Sequence, residues 1–362
     1  MQCQNRRATF LAVPAFLALA AAAIHTTSAA HAQANKDFKL AYIPCGRVND
    51  QSWSQAGYEG VLAAKKELGI ETAYSESVPP ADVEAAARDY ASKGYKLVLL
   101  HCATFTDAGL KVAKDFPNTW FTVTSATAVP ANVISINLQQ QQGTFIGGVL
   151  AGMVTKSNRL GSILSYNTLG FNRQVEGFRL GARFVNPKIE LAVTYLNSAE
   201  DAAKAKEAAL AQYDTGIDVI LAATDQAASG VFRAGEERGA YVIAEYADQN
   251  DRGPRTVLGS VVFGQAPIIL SVIKSVVNGT AKGQIIEPGV KEGVGTLVQN
   301  SALMPQVPAA ARECVNLIEQ SFAEGKMRMP EDRMIGRQNA AKDIDPATAV
   351  AGGTHPCLKK RG

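Results

Sequence analysis

Histidine is scarce, with four residues in a chain of 362. Two of these, His25 and His31, fall in an N-terminal stretch that reads as a removable leader, which leaves His101 and His355. A chain so poor in imidazole has little material for a histidine-based metal site or an acid–base catalyst. No C-x-x-C spacing occurs among the five cysteines, so zinc-ribbon and dithiol redox motifs are absent. Basic runs never exceed two residues before Lys359-Lys360-Arg361, and 36 basic against 33 acidic residues give a formal charge of only +3. Nothing here makes the electrostatic footprint of a nucleic-acid binder, and no nucleic-acid partner is expected. Beyond the N-terminus no apolar run is long enough to span a bilayer.

What is present points to a folded, exported chain. Hydrophobic residues make up 47%, which excludes a disordered chain, and the length suits two α/β domains of ordinary size. Arg6 and Arg7 precede an apolar run from Phe10 to Ile24, and small-x-small sites follow at Ala30-His31-Ala32 and Ala32-Gln33-Ala34. Residues 1–34 therefore read as a secretory signal peptide cleaved near Ala32 or Ala34, with a membrane anchor as the alternative. Its removal takes two arginines and no acid, so 34 basic against 33 acidic residues leave +1. Four cysteines remain, Cys45, Cys102, Cys314 and Cys357. They allow three pairings in an oxidising compartment, of which Cys314 with Cys357 is favoured because it would pin a long tail to the body.

Short β-rich runs alternate with helical stretches, the pattern of parallel sheets covered by helices. Strands are expected over 39–44, 71–76, 97–101, 120–123 and 133–137, followed by a glycine-bearing helix over 143–155. Gly143, Gly147, Gly148 and Gly152 lie inside that helical pattern, at the wrong spacing for a phosphate loop, and suit close helix packing. A second series has strands over 160–165, 189–195, 218–222, 241–244 and 257–262, with helices over 173–184, 201–213 and 227–238. The expected architecture is thus two Rossmann-like α/β lobes with parallel sheets joined by a hinge. The first lobe takes 35–156 with 264–282 returning to it. The second takes 157–263 with about 283–328 contributing, and 329–362 form a C-terminal tail.

Ligands of open α/β sheets bind beyond the carboxyl ends of the strands. Those ends carry Gly46 to Gln55, Cys102 to Asp107, Tyr166-Asn167-Thr168, Thr224-Asp225-Gln226 and Tyr246-Ala247-Asp248-Gln249. Aromatic faces mixed with amides and carboxylates suit a flat polar heterocycle, gripped by stacking and edge hydrogen bonds.

The run Gly46 to Gln55 resembles the G-x-x-N-D-x-S-[FW]-x-Q signature of the basic membrane protein family. Asp107 with Lys111-Val112-Ala113 and Phe116-Pro117, the glycine helix from Gly143 to Gly148, Gly177-Phe178 with Gly181-Ala182, and Asp248-Gln249 resemble further family motifs. They occur in order across roughly residues 38–300. The resemblance implies a periplasmic binding protein of type I, the solute-capturing component of an ABC importer, many of which bind purine nucleosides. It implies a small-molecule ligand and an inner-membrane permease as partners, a monomer, no cofactor and no catalytic residue.

Two departures bear on the ligand. Nucleoside-binding members carry V-D-x-D-Q, where the first Asp holds the ribose, and here Tyr246 stands at that position. They also carry S-V-x-K, and here Phe263 replaces the Lys. A sugar hydroxyl buried against two aromatic rings loses about 1–3 kcal/mol. The acidic Asp225 in the second-lobe loop resembles free-base binders. A purine base or related nitrogen heterocycle is therefore expected, with a purine nucleoside, another small polar cargo, a periplasmic sensor role and a nucleoside hydrolase as alternatives.

The expected ligand-binding residues are Asn49, Asp50, Trp53, Phe105, Tyr166, Asn167, Asp225, Tyr246 and Phe263. Trp53 is the stacking platform and Tyr166 the opposing face from the other lobe. Asn49 and Asp50 hydrogen-bond the ligand or serve as turn and helix-cap residues. Asp225 accepts from ligand N–H groups or caps the helix that follows it. Phe105 lines the pocket or closes the sheet. Asp248 organises its loop through Gln249, His101 is a satisfied strand-end residue, and Arg173 touches ligand or is a surface charge.

Overall fold

A computed structural model describes residues 37–329 and Cys357. The expected signal peptide, and the tail beyond 329 apart from Cys357, lie outside the described residues. The first series comprises β1 (Lys39–Pro44), α1 (Trp53–Leu68), β2 (Glu71–Tyr74), α2 (Val83–Ser92), β3 (Leu97–His101), α3 (Thr106–Asp115), β4 (Trp120–Val123) and β5 (Val133–Ile136). The second comprises α4 (Gln140–Val154), β6 (Arg159–Leu164), α5 (Leu169–Val185), β7 (Glu190–Tyr195), α6 (Ala202–Tyr213), β8 (Val219–Ala223), α7 (Ala228–Arg238), β9 (Tyr241–Tyr246) and β10 (Val257–Phe263). After them come α8 (Gln265–Val277), β11 (Gln284–Ile286), β12 (Val294–Gln299) and α9 (Ala309–Ala323).

The strands form two six-stranded sheets, ordered β11-β5-β4-β3-β1-β2 and β12-β10-β9-β8-β6-β7. All pairs are parallel except β10 with β12. The central strands are apolar on both faces because helices cover both sides. In the first sheet, Ala41, Ile43, Val98 and Leu100 pack with the α2 and α3 side, while Leu40, Tyr42, Leu97 and Leu99 meet residues of α1 and α8. The same order recurs in each sheet, with the second strand at one edge, so each has a switch point between its first and third strands. The loops that leave those strands are therefore the crevice-forming ones: after β1 and β3 in one sheet, after β6 and β8 in the other.

Two segments sit differently from the expected lobe limits. Helix α4 was expected with the first lobe, yet it packs on the second sheet, beside α5. Its span from Gly143 to Gly152 is buried all round, too apolar for a helix with a solvent face. Gly147 faces Ile243 and Val261 of the second sheet, and Gly148 and Gly152 lie against the backbone of α5. Strand β11 joins β5 in the first sheet, so the returning segment runs to Ile286 rather than 282.

Within the described residues the chain therefore passes between the sheets three times, and the crossings run side by side. The Asn137 amide donates to the Ile286 carbonyl at 2.9 Å, that of Gln139 to Pro288 at 2.9 Å, and that of Gly264 to Gly293 at 3.2 Å. Disulfides join Cys45 to Cys102 and Cys314 to Cys357, with Cα separations of 5.1 and 5.2 Å. The second is the favoured pairing. The first ties the ends of β1 and β3 across the first switch point.

Candidate functional site

The loop after β1 owes its shape to Asp50. Its buried carboxylate accepts from the backbone N–H groups of Ser52 (2.8 Å), Ser54 (3.0 Å) and Gln55 (3.0 Å). Asp50 thus caps α1 from upstream, with Oδ1 accepting two of these bonds and Oδ2 one. Ser52 occupies the N-cap position but its hydroxyl makes no cap bond. That hydroxyl reaches across to the other lobe and donates to Asp225 Oδ1 at 2.7 Å. Sequence reading missed Ser52, because a Ser before a helix reads as an ordinary cap.

Trp53 opens α1 and lies over the end of β3. Its ring stacks on His101 with centroids 4.7 Å apart and planes 10° apart, and its Nε1 donates to the His101 carbonyl at 3.1 Å. The edge contact from the second lobe is Tyr246, 6.3 Å away at 82°, and Tyr246 in turn meets Phe263 edge-on at 5.6 Å. Trp53, Tyr246 and Phe263 are therefore brought together. Tyr166 is not the opposing face: it is 43% exposed and its ring meets Phe171. Asn167 is exposed and accepts from Asn172 at 3.0 Å, and Asn49 is exposed on the opposite lobe. Phe105 is buried in the apolar core of the first lobe rather than lining the cleft. The Gln249 amide donates to the Glu245 carbonyl at 2.6 Å, and Asp248 accepts from the Asn250 N–H at 3.0 Å, the loop-organising role expected of that pair.

Asp225 and Tyr246 both have left-handed backbones, with φ of 46° and 77°. Such conformations cost about 1–3 kcal/mol in non-glycine residues and gather at functional sites. Burial pushes the Asp225 carboxyl up to about 6, against the Ser52 hydrogen bond and with the repulsion of Asp50. Next to Tyr246, Glu245 is fully buried with neither carboxyl oxygen hydrogen-bonded. Burial first, and the charge of Asp225 second, hold its carboxyl well above the usual range. The signal for Glu245 was one acid inside the run Tyr-Val-Ile-Ala-Glu-Tyr of β9, otherwise apolar or aromatic.

The linkage has a definite sign. A carboxyl whose folded value is raised keeps its proton in the folded state after the unfolded chain has lost it. Stability therefore falls as pH rises from about 4 through about 6, for Asp225 by at most about 3 kcal/mol. Asp225→Asn should flatten that part of a melting-temperature profile. Parallel profiles for the two proteins between pH 4 and 6.5 would remove Asp225 as its source.

His101 departs from the expected satisfied residue. It is 4% exposed, its Nε2 has no hydrogen-bond partner, and burial brings it down to about 4, so the ring is neutral near pH 7. Gln265, at the start of α8, lies beside the imidazole and weakly favours its charged form, but neither end of its buried amide makes a hydrogen bond of good geometry. The Thr124 hydroxyl beyond β4 is likewise unpartnered. Each such group costs about 1–3 kcal/mol when left dry. Among the described residues no cluster of three or more His, Cys, Asp or Glu has a metal-holding arrangement, and no helix is long and apolar enough to cross a membrane.

Residues 38–318 match the family described as Bmp, ABC transporter substrate-binding protein PnrA-like. The chain is 30% identical over 288 residues to a purine-binding protein of Brucella abortus (strain 2308), covering 79% of this chain and 81% of that one. It is 25% identical over 278 residues to basic membrane protein A1 of Borrelia garinii, covering 74% and 81%. A solute-binding protein of an ABC transporter system from Aeropyrum pernix K1 shares the fold, with TM-score 0.75 at 19% identity, over 86% of this chain and 99% of that one. Two parallel α/β sheets, three crossings between them and facing strand ends agree with that fold. The chain belongs to the Bmp family of PnrA-like ABC transporter substrate-binding proteins.

Proposed function

We propose that this solute-binding protein captures a purine base or related nitrogen heterocycle between its lobes and delivers it to a membrane permease. The observation that carries the reading is the meeting of Trp53 with Tyr246 and Phe263, closed over by the Ser52–Asp225 hydrogen bond. Aromatic walls grip a flat ring, and Tyr246 and Phe263 replace the aspartate and lysine that serve a ribose in nucleoside-binding relatives. Asp225 supplies an acceptor for ring N–H groups. The purine-binding relative of Brucella abortus supports the same class.

Closure follows from the geometry. A ligand meets one lobe in an open form, and contacts to the second lobe exist only once the lobes meet, so binding raises the closed population. The three side-by-side crossings are the hinge about which the lobes close. The N-terminal run that reads as an export signal supports a periplasmic setting for this reading, in which the protein works as a monomeric clamp with the permease as its partner.

Adenine, guanine or xanthine should raise the melting temperature and quench tryptophan fluorescence, while their nucleosides do neither. Stabilisation by nucleosides and not by bases would sink the reading that the aromatic replacements reject a sugar.

A further inference from the structure

Three buried side chains with unpartnered polar atoms share one place. His101, Thr124 and Gln265 line a single narrow crevice at the strand ends of the first lobe, otherwise walled by the Trp53 ring and aliphatic side chains. No charged side chain is among its lining residues. As it stands the crevice is too tight to hold a water molecule, so its side chains must part to admit the edge of a ligand. Solvent therefore does not meet these groups, although buried polar side chains in native folds are nearly always met.

Their chemistry is specific. The Gln265 amide offers a donor and an acceptor side by side, the hydroxyl of Thr124 serves as either, and a neutral imidazole offers one or the other at Nε2. The apolar remainder of the wall suits a flat face, and the lack of charge suits a neutral one. We propose that His101, Thr124 and Gln265 form the edge-reading wall of the ligand site, selecting a neutral amide- or amidine-like edge on a flat heterocycle. This inference rests on the functional reading above and names which edge of the ring is read. Gln265 also begins α8 directly after the Gly264 crossing. A ligand held there would therefore touch the residue that directly follows a crossing between the sheets.

The test uses the full chain and isothermal titration with hypoxanthine, adenine and unsubstituted purine, which lacks the substituted edge. Gln265→Leu and Thr124→Val should each weaken hypoxanthine or adenine about tenfold, the effect of one lost hydrogen bond. They should leave unsubstituted purine within about twofold, with melting temperatures unchanged or raised. If Gln265 serves only to steady His101, Gln265→Leu lowers the melting temperature and shifts all three ligands equally, which overturns the proposal. Wild-type affinity for the substituted bases in both variants overturns it too, while the functional reading stands. Failure of the wild-type chain to bind any of the three overturns both.

Discussion

Gly181→Val should cost more than about 3 kcal/mol and lower the melting temperature by roughly 6–12 °C. The reason is backbone against backbone. Gly181 of α5 faces the Phe145 carbonyl of α4, and Gly148 of α4 faces the Phe178 carbonyl of α5. A Cβ at either place would fall inside the carbonyl oxygen, and Gly177 meets the Gln141 carbonyl in the same way. Main chain cannot swing aside as a long side chain can, so the helices must part. Parting them opens the core in which Phe145, Val149, Phe178 and Ala182 are all buried. Gly170 of the same helix has open space around it, and Gly170→Ala should be neutral or stabilising by up to about 1 kcal/mol. Chemical denaturation and thermal melting of the two variants give the comparison. A Gly181→Val protein that melts within 2 °C of wild type would mean that the two helices part at this contact at little cost.

Trp53→Ala should reduce base affinity by roughly 10- to 100-fold, since stacking on an aromatic platform is worth about 1–3 kcal/mol per base. The ring also covers His101 and donates to its carbonyl, so some loss of stability accompanies the change. Trp53→Phe separates the two effects: it keeps an aromatic face and loses only the Nε1 hydrogen bond, so most affinity should survive. Because the chain has two tryptophans, Trp53 and Trp120, ligand-dependent quenching should vanish in both variants if Trp53 is the reporter. An unchanged dissociation constant in Trp53→Ala, with the melting temperature lowered, would leave Trp53 as a packing residue alone.

Much of the fold was legible because its signals are local. Apolar runs such as Leu-Val-Leu-Leu and Val-Ile-Leu-Ala-Ala, separated by helical spacing, specify buried parallel strands and their order along the chain. The side of the hinge that α4 joins was not local information. A helix lined with glycines announces close packing but not its partner, and the partner here is α5, some thirty residues on. Strands β11 and β12 escaped notice because they are short and lie among glycines that read as loop. Each completes a sheet only through pairing with a strand far away in sequence, β5 and β10.

The candidate site divides in the same way. Trp53, Asp225, Tyr246 and Phe263 follow or end strands, and strand-end position is readable, so they were found. Asp50 stands out for its chemistry, and three of its acceptor sites hold the helix start. Ser52 was overlooked since its use depends on Asp225, 173 residues away. Tyr166 has the right residue type at the right strand end, yet its ring points outward.

Sequence by itself determined the two α/β series, the strand-end segments that bear function, the Cys314–Cys357 pairing preference and the family. These follow from periodicity, turn residues and short motifs, all of which act over a few neighbours. Tertiary structure decided which strand ends face one another, that Ser52 bonds Asp225, that Tyr246 rather than Tyr166 meets Trp53, and that His101, Thr124 and Gln265 share a dry crevice. Those relations join residues tens to hundreds of positions apart. They are set by how two sheets and three crossings pack in space, and no local pattern in the chain encodes that geometry.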